Sequence, residues 1–378
     1  MTKRTLLSTV TALGSVLIGL SAPACGGDDT AVPPDAATDG TSSDGAAPGD
    51  GSTEGGGSDA ASDAGPPTAA FVAHFNAATG ELPEGLTIRG GKAYLGFAPT
   101  GKIVSVDVAT GAVTPYASLP TTAANFTLGM VFDAAGNLYV GVGAAAAGGA
   151  ATAGVYKVPP SGDAGGAPVR QWAGAAMLFP NGLSLDTAGT RLYVADSNDG
   201  AVYRFALTDP VTTTATPWKK DPLLAGDAVD AGVGTCPKPN AGFPLGANGI
   251  IVDASGAYVA NTDKGLLVRV PIDGSGNPGT ATAVVNDCAK LEGIDGIAFD
   301  SKDQSIVALV NSANTLVRIV GAGSVPLLSG APFDSPASIV QVPGQSGPEQ
   351  FLVTNAAFAS AQTDGGSPQP GLLKVSVP

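Results

Sequence analysis

The chain has 378 residues, a formal net charge of −14 and only 13% charged side chains, about half the roughly 25% common in globular proteins. With 54 glycines and 30 prolines it is turn-dense and poor in long helices, and one histidine with three cysteines excludes multi-histidine zinc centres, cysteine-rich zinc modules and disulfide-dense miniproteins. The acidity argues against nucleic acid as a partner, since phosphate neutralisation needs clustered Lys and Arg.

Lys3 and Arg4 precede an apolar run from Leu6 to Leu20, followed by Ser21, Ala22, Pro23, Ala24 and Cys25. A basic start, an apolar core and small residues at a cut read as an export signal over residues 1–24. The run falls short of the ~20 residues that a membrane-spanning helix needs. The cysteine at the cut resembles a bacterial lipoprotein site. That implies a lipidated Cys25 as mature N-terminus and a protein tethered at the cell envelope, in the periplasm or on the outer surface, touching membrane only through this anchor. Ordinary cleavage after Ala24 is the other reading and would give a secreted protein.

Residues 25–68 are built of Gly, Ala, Ser, Thr, Pro and Asp, with Val32 their only large aliphatic residue; from Gly26 onward they hold nine acids and no base. Such a segment cannot bury enough apolar surface to offset chain entropy, so a disordered acidic linker is expected. Its like charges extend it.

From residue 69 to 378 a four-strand unit recurs. Its leading phrase is a small or polar residue, a glycine and alternating apolar residues, often closed by Asp: Glu84-Gly-Leu-Thr-Ile, Leu128-Gly-Met-Val-Phe-Asp, Asn181-Gly-Leu-Ser-Leu-Asp, Asn248-Gly-Ile-Ile-Val-Asp and Asp295-Gly-Ile-Ala-Phe-Asp, with a weaker Ala337-Ser-Ile-Val. A short β-rich run follows each, as in Leu138-Tyr-Val-Gly-Val and Leu192-Tyr-Val-Ala-Asp, and then a third alternating strand. The period is 2 throughout, and no 3.6-residue stripe of helical length appears. Six such units predict an all-β, six-bladed β-propeller with four antiparallel strands per blade. The sixth unit shows only three strands at the C-terminus, so Ala69–Phe75 is expected to supply the fourth and close the ring.

In a propeller, the residue before each repeat glycine lies where the innermost strand meets the mouth of the central channel. These residues are Glu84, Leu128, Asn181, Asn248, Asp295 and Ala337. Two carboxylates and two amides, drawn from four blades, make an oxygen set suited to a hard divalent cation, Ca²⁺ first, with Mg²⁺ or Mn²⁺ also possible. Asn-Gly and Asp-Gly are also common tight turns. Turn chemistry, however, accounts for neither Glu84 nor the shared register.

Pro83-Glu84-Gly85, Pro180-Asn181-Gly182, Asn248-Gly249 and Asp295-Gly296 together resemble the SMP-30/gluconolactonase/LRE-like family, within the wider group of calcium-dependent six-bladed propellers that includes paraoxonase and diisopropylfluorophosphatase-like enzymes. The resemblance covers roughly residues 70–378. It implies Glu84, Asn248 and Asp295 as direct metal ligands and Asn181 as a ligand or a substrate-orienting amide. Two departures stand out. His74, the only histidine, falls on the presumed outer closing strand, where it is read as structural, so no histidine dyad is possible. Phe179 occupies the position where such enzymes often carry an arginine that holds a sugar acid, which favours a less polar ligand.

Asp196, Asn261, Asn311 and Asn355 end the second strands and are candidates either to orient the ligands and substrate or to cap turns. Trp172, Met177 and Phe179 could wall a pocket or belong to the core. Cys236 and Cys288 sit in neighbouring long loops, and export permits oxidation, so they are expected to form a disulfide that staples the 209–247 insertion. The leading functional expectation is a metal-dependent hydrolase, a lactonase acting on a small-molecule lactone or ester. Asp295 would be catalytic, Asn181, Phe179, Asp196 and Asn261 would contact substrate, and the protein would be a monomer. The alternative is a non-catalytic propeller that binds a ligand or partner around a structural calcium.

Overall fold

The computed structural model describes residues 65–227, 236, 243–345, 348–363 and 365–377. The export signal, Cys25 and the acidic linker as far as residue 64 lie outside these residues, as does part of the 209–247 insertion. Six separate four-stranded antiparallel sheets make up the fold, five of them consecutive in sequence. The innermost strands are Pro83–Arg89, Asn125–Phe132, Pro180–Leu185, Ala247–Val252, Ile294–Phe299 and Pro336–Gln341. Each touches its neighbour in turn, and the sixth touches the first, so the sheets form a closed six-bladed β-propeller. A solenoid would leave its two ends unpaired and is excluded. Helix is confined, among the described residues, to the short segments Cys288–Leu291 and Phe358–Gln362 and a few 3₁₀ turns.

The sixth blade is composite. Thr68–His74 pairs antiparallel with the C-terminal strand Gly371–Val377, aligning Thr68 with Ser376 and His74 with Gly371. The closing strand is therefore the expected one, begun one residue earlier. His74 lies on it, exposed, with its ring stacked on Phe71 at 3.9 Å. Ring closure by the two chain ends removes the open edges that a linear array of sheets would present.

Alternating apolar residues of adjacent blades interlock to form the core. Tyr139, Trp172 and Phe205 stack in series between blades two and three, with centroid spacings of 5.4 and 4.7 Å. Trp172 and Met177 are wholly buried in that layer, so they are core residues and do not wall a pocket. The outer strand of blade three is only Lys219–Lys220.

Candidate functional site

At the start of every innermost strand the ladder to the second strand slips by one residue. The slips fall between Pro83 and Gly85, Thr127 and Met130, Pro180 and Leu183, Ala247 and Ile250, Ile294 and Ile297, and Pro336 and Ile339. A bulge of this kind leaves one residue unpaired and re-aims its side chain. The residues in the slips include Glu84, Leu128, Asn181, Asn248, Asp295 and Ala337. The repeat phrase is thus a recurrent β-bulge.

The repeat glycines have a separate reason. A Cβ on Gly85 would lie 2.0 Å from the carbonyl oxygen of Leu128, and one on Gly182 2.2 Å from that of Asn248. Gly129, Gly249 and Gly296 meet Asn181, Asp295 and Ala337 in the same way. Each glycine accommodates the backbone of the next blade's candidate residue, so the six positions form one tight inner ring. The ring closes differently where Ser338 replaces glycine. There the Ser338 N–H donates to Thr354 Oγ1, which in turn donates to the Glu84 carbonyl, both at 2.9 Å.

Glu84, Asn181 and Asn248 are each only 5% exposed. Glu84 Oε2 is buried without a hydrogen-bond partner. Burial, reinforced by the charge of Asp295, holds the Glu84 carboxyl well above the usual range. Asp295 retains partial exposure, yet protein surrounds its carboxyl and pushes its pKa up to about 8, against the opposing effect of hydrogen bonds from Asn311 and Asn248. Asn311 Nδ2 reaches Asp295 Oδ2 at 3.4 Å and the Pro336 carbonyl at 3.2 Å. Glu84, Asn248, Asp295 and Asn311 are therefore electrostatically linked, and Asn181 adjoins Asn248 through the Gly182 contact.

Two hydroxyls absent from the sequence reading fix the amides. Asn181 Nδ2 donates to Ser197 Oγ (3.2 Å), which donates to the Ala247 carbonyl of the next blade (2.7 Å). Asn248 Nδ2 donates to Thr262 Oγ1 (2.9 Å), which donates to the Ile294 carbonyl (2.8 Å). With Nδ2 held this way, Oδ1 is the atom of each amide suited to meet a cation. Ser197 and Thr262 immediately follow Asp196 and Asn261, and that repeated offset is the signal that could have revealed them.

Of the two readings open for Asp196 and Asn261, their hydrogen bonds fit the turn cap and not the expected substrate contact. The Asp196 carboxylate accepts N–H bonds from Phe179 (2.8 Å), Asn198 (3.1 Å) and Asp199 (2.8 Å). Asn261 Nδ2 donates to the Leu223 and Ala225 carbonyls, and its Oδ1 accepts from Lys264 N–H. Both side chains are wholly buried, so neither is free for a ligand. Asn355 clasps its own loops in the same fashion, donating to the Pro332 and Gln369 carbonyls. Of the four second-strand residues, only Asn311 reaches the acidic pair. Phe179 is 1% exposed, a core residue clustered with Leu128 and edge-on to Phe243 at 5.0 Å between centroids, so its side chain is not open to the substrate contact expected of it.

The residues fit a divalent cation by their chemistry: two buried acids that oppose each other's ionisation, one orphaned carboxylate oxygen and two amides with committed nitrogens. No cluster of three or more His, Cys, Asp or Glu side chains suited to a metal occurs among the described residues. Any oxygen set here must therefore add neutral oxygens, such as the two amides, to the two acids. Cys236 and Cys288 are disulfide-bonded as expected, tying the insertion to the helix that precedes Asp295.

The fold and the buried acids and amides of its inner ring define a six-bladed β-propeller with a candidate cation site. Residues 72–226, which hold the phrases at Glu84 and Asn181 but not those at Asn248 and Asp295, match the family described as SMP-30/Gluconolactonase/LRE-like region. Similar folds include the calcium-binding protein regucalcin from Agrobacterium tumefaciens, at 16% identity and TM-score 0.54, covering 79% of this chain and 92% of that one. A luciferin-regenerating enzyme aligns at 12% identity and TM-score 0.51, covering 82% and 95%. The PQQ-bound aldose sugar dehydrogenase of Streptomyces coelicolor aligns at 16% and 0.50, covering 82% and 98%. Proteins of such different chemistry share the architecture, so these likenesses carry the fold alone. A comparison with curated proteins finds no match.

Proposed function

We propose that the protein is a metal-dependent hydrolase of lactones or related esters, tethered at the cell envelope through Cys25. The observation that supports this most is the buried, unpartnered Oε2 of Glu84 beside Asp295. An arrangement that forces two acids together without a basic partner is costly unless a cation joins them. Glu84, Asn181, Asn248 and Asp295 would hold the ion, and an all-oxygen set suits Ca²⁺ first. When bound, a divalent ion supplies positive charge against the oxyanion that develops at the substrate carbonyl.

The chain's own residues do the rest. Asp295 accepts a proton from the attacking water and returns it to the alkoxide released when the acyl C–O bond breaks. Asn311 positions the Asp295 carboxylate through its Nδ2. Asn181 orients the substrate, with Ser197 holding its amide. No histidine competes for the proton-transfer role, because the only one lies on the outer edge of blade six.

A screen of lactones, esters and phosphotriesters with added Ca²⁺ and with EDTA tests the reading. Turnover that needs the metal and falls by at least about 10²-fold in Asp295→Ala is expected, the usual cost of losing a positioned acid–base group. Undiminished hydrolysis by Asp295→Ala would end the assignment of that residue. Calcium binding without turnover on any substrate would instead favour the alternative of a ligand-binding propeller with a structural ion.

A further inference from the structure

The inner ring is lopsided. Blades one, three, four and five present oxygen-bearing side chains at the bulge, whereas blade two presents Leu128, which is 2% exposed. Leu128 belongs to an apolar cluster with Phe126, Ala145, Phe179 and Leu245, and half-buried Phe243 and Phe358 pack on its outside. The rings are ordered: Phe126 lies parallel to Phe358 at 6.0 Å. Gly143 makes the packing possible, since a Cβ there would come within 2.6 Å of Phe179 and 2.7 Å of Leu128. An aromatic layer thus begins at a ring position directly beside Asn181, whose carbonyl meets Gly129, the residue after Leu128.

A cleft of about 410 Å³ opens next to this layer, walled by Ala144, Ala145, Ala146, Ala150, Leu178 and Phe243. Asn198 is its single polar side chain among the described residues, and it follows Ser197, the residue that holds the Asn181 amide. The cleft therefore lies where the second strands of blades two and three end, on the side of the ring that carries the oxygen set. Its size is in the range of small-molecule sites. Among the described residues no Lys or Arg lines it, so none of them would recognise the carboxylate of a sugar acid, and four alanines leave room that larger side chains would fill.

Resting on the reading of this face as a lactone or ester site, we infer that the substrate carries an apolar arm, an alkyl or aryl substituent, and that this arm seats in the Ala144–Ala146/Phe243 cleft while the carbonyl meets the oxygen set. The arm exchanges water for an alanine- and phenylalanine-lined wall, so affinity rises with each methylene until the cleft is full. The increment expected from burial is about fourfold per CH₂.

The test uses the full propeller in Ca²⁺ with γ-lactones bearing 4-alkyl chains from methyl to octyl. Binding is followed by calorimetry with the matching alkyl hydroxy acids, independently of turnover. Affinity and kcat/KM should climb with chain length, and the climb should flatten in Ala146→Phe and Ala150→Phe, which fill the cleft from its exposed rim. Circular dichroism melting checks that both variants fold. Binding that does not change with chain length, or a climb unaltered in both folded variants, overturns the inference even if hydrolysis is seen. A chain-length climb in binding with no turnover supports the apolar-arm site and sinks the hydrolase reading instead.

Discussion

The carboxyl groups of Glu84 and Asp295, supplied by blades one and five, share one buried site, and the charge of Asp295 raises the pKa of Glu84 beyond what burial alone does. Among the described residues, no basic side chain offsets the charge of either acid. The pair is thus an acid couple in tension, and several measurable consequences follow from that tension and from the ring that imposes it.

Calcium should stabilise the protein. A ligand that binds only the folded state at 100 times its Kd contributes about 2.7 kcal/mol, which for a domain of this size is a rise of several degrees in Tm. The rise should vanish in the Glu84→Gln/Asp295→Asn double variant, read by differential scanning fluorimetry with and without EDTA. An equal Ca²⁺ shift in that variant would place the ion elsewhere.

The metal-free protein should lose stability as pH rises. Burial lifts Asp295 to about 8 and Asp196 to about 7, both above the ordinary carboxylate value of about 4. A group whose folded pKa is raised contributes stability that is complete below its unfolded pKa and is lost as pH climbs through its folded pKa. In EDTA, Tm should therefore fall between about pH 5 and about pH 8.5. Ca²⁺ affinity should strengthen over the same interval, because the cation displaces protons. A metal-free melting temperature that holds level across that range would contradict the burial of these acids.

Thr262 should matter to both folding and the site. Its hydroxyl accepts from Asn248 Nδ2 and donates to the Ile294 carbonyl. Thr262→Val removes both hydrogen bonds, at a cost of about 1–3 kcal/mol, and should weaken Ca²⁺ binding about 10- to 100-fold, the usual effect of losing a group that orients a ligand. Thr262→Ser should restore most of each. Urea denaturation and calorimetry read the two quantities separately.

Gly182→Ala should be far worse than an average glycine substitution. The new Cβ would sit 2.2 Å from the Asn248 carbonyl oxygen, a backbone atom that cannot rotate away. A loss of about 3 kcal/mol or more is expected, at the upper end for overpacking. Gly274→Ala, which meets nothing within 4 Å, is the control and should stay within about 0.5 kcal/mol of the parent.

The Cys236–Cys288 bond, closing a separation of 52 residues, should add about 2–4 kcal/mol by restricting the unfolded chain. Unfolding with and without reductant measures this. Neither cysteine should react with Ellman reagent in the unfolded, unreduced protein.

Much of this was legible in the linear order of residues. Alternation with period 2, broken by glycine and aspartate turns, dictates strands, and five recurring glycines with Ser338 in the sixth place dictate six blades. The identity of the residue before each glycine singled out the candidate oxygen set, because no turn requires a glutamate at residue 84. The roles of Asp196 and Asn261 were not legible. A carboxylate that clasps three N–H groups and one that faces a ligand look the same in sequence, and only the closure of the adjoining loops around them separates the two. Ser197 and Thr262 escaped for a similar reason: their partners, Asn181, Ala247, Asn248 and Ile294, lie in other strands and other blades. Local alternation and turn chemistry act between near neighbours and are written in the chain. Convergence on a common axis depends on distant segments meeting, and the ring alone decided which side chains share buried space, which pKa values move and which polar atoms find a partner.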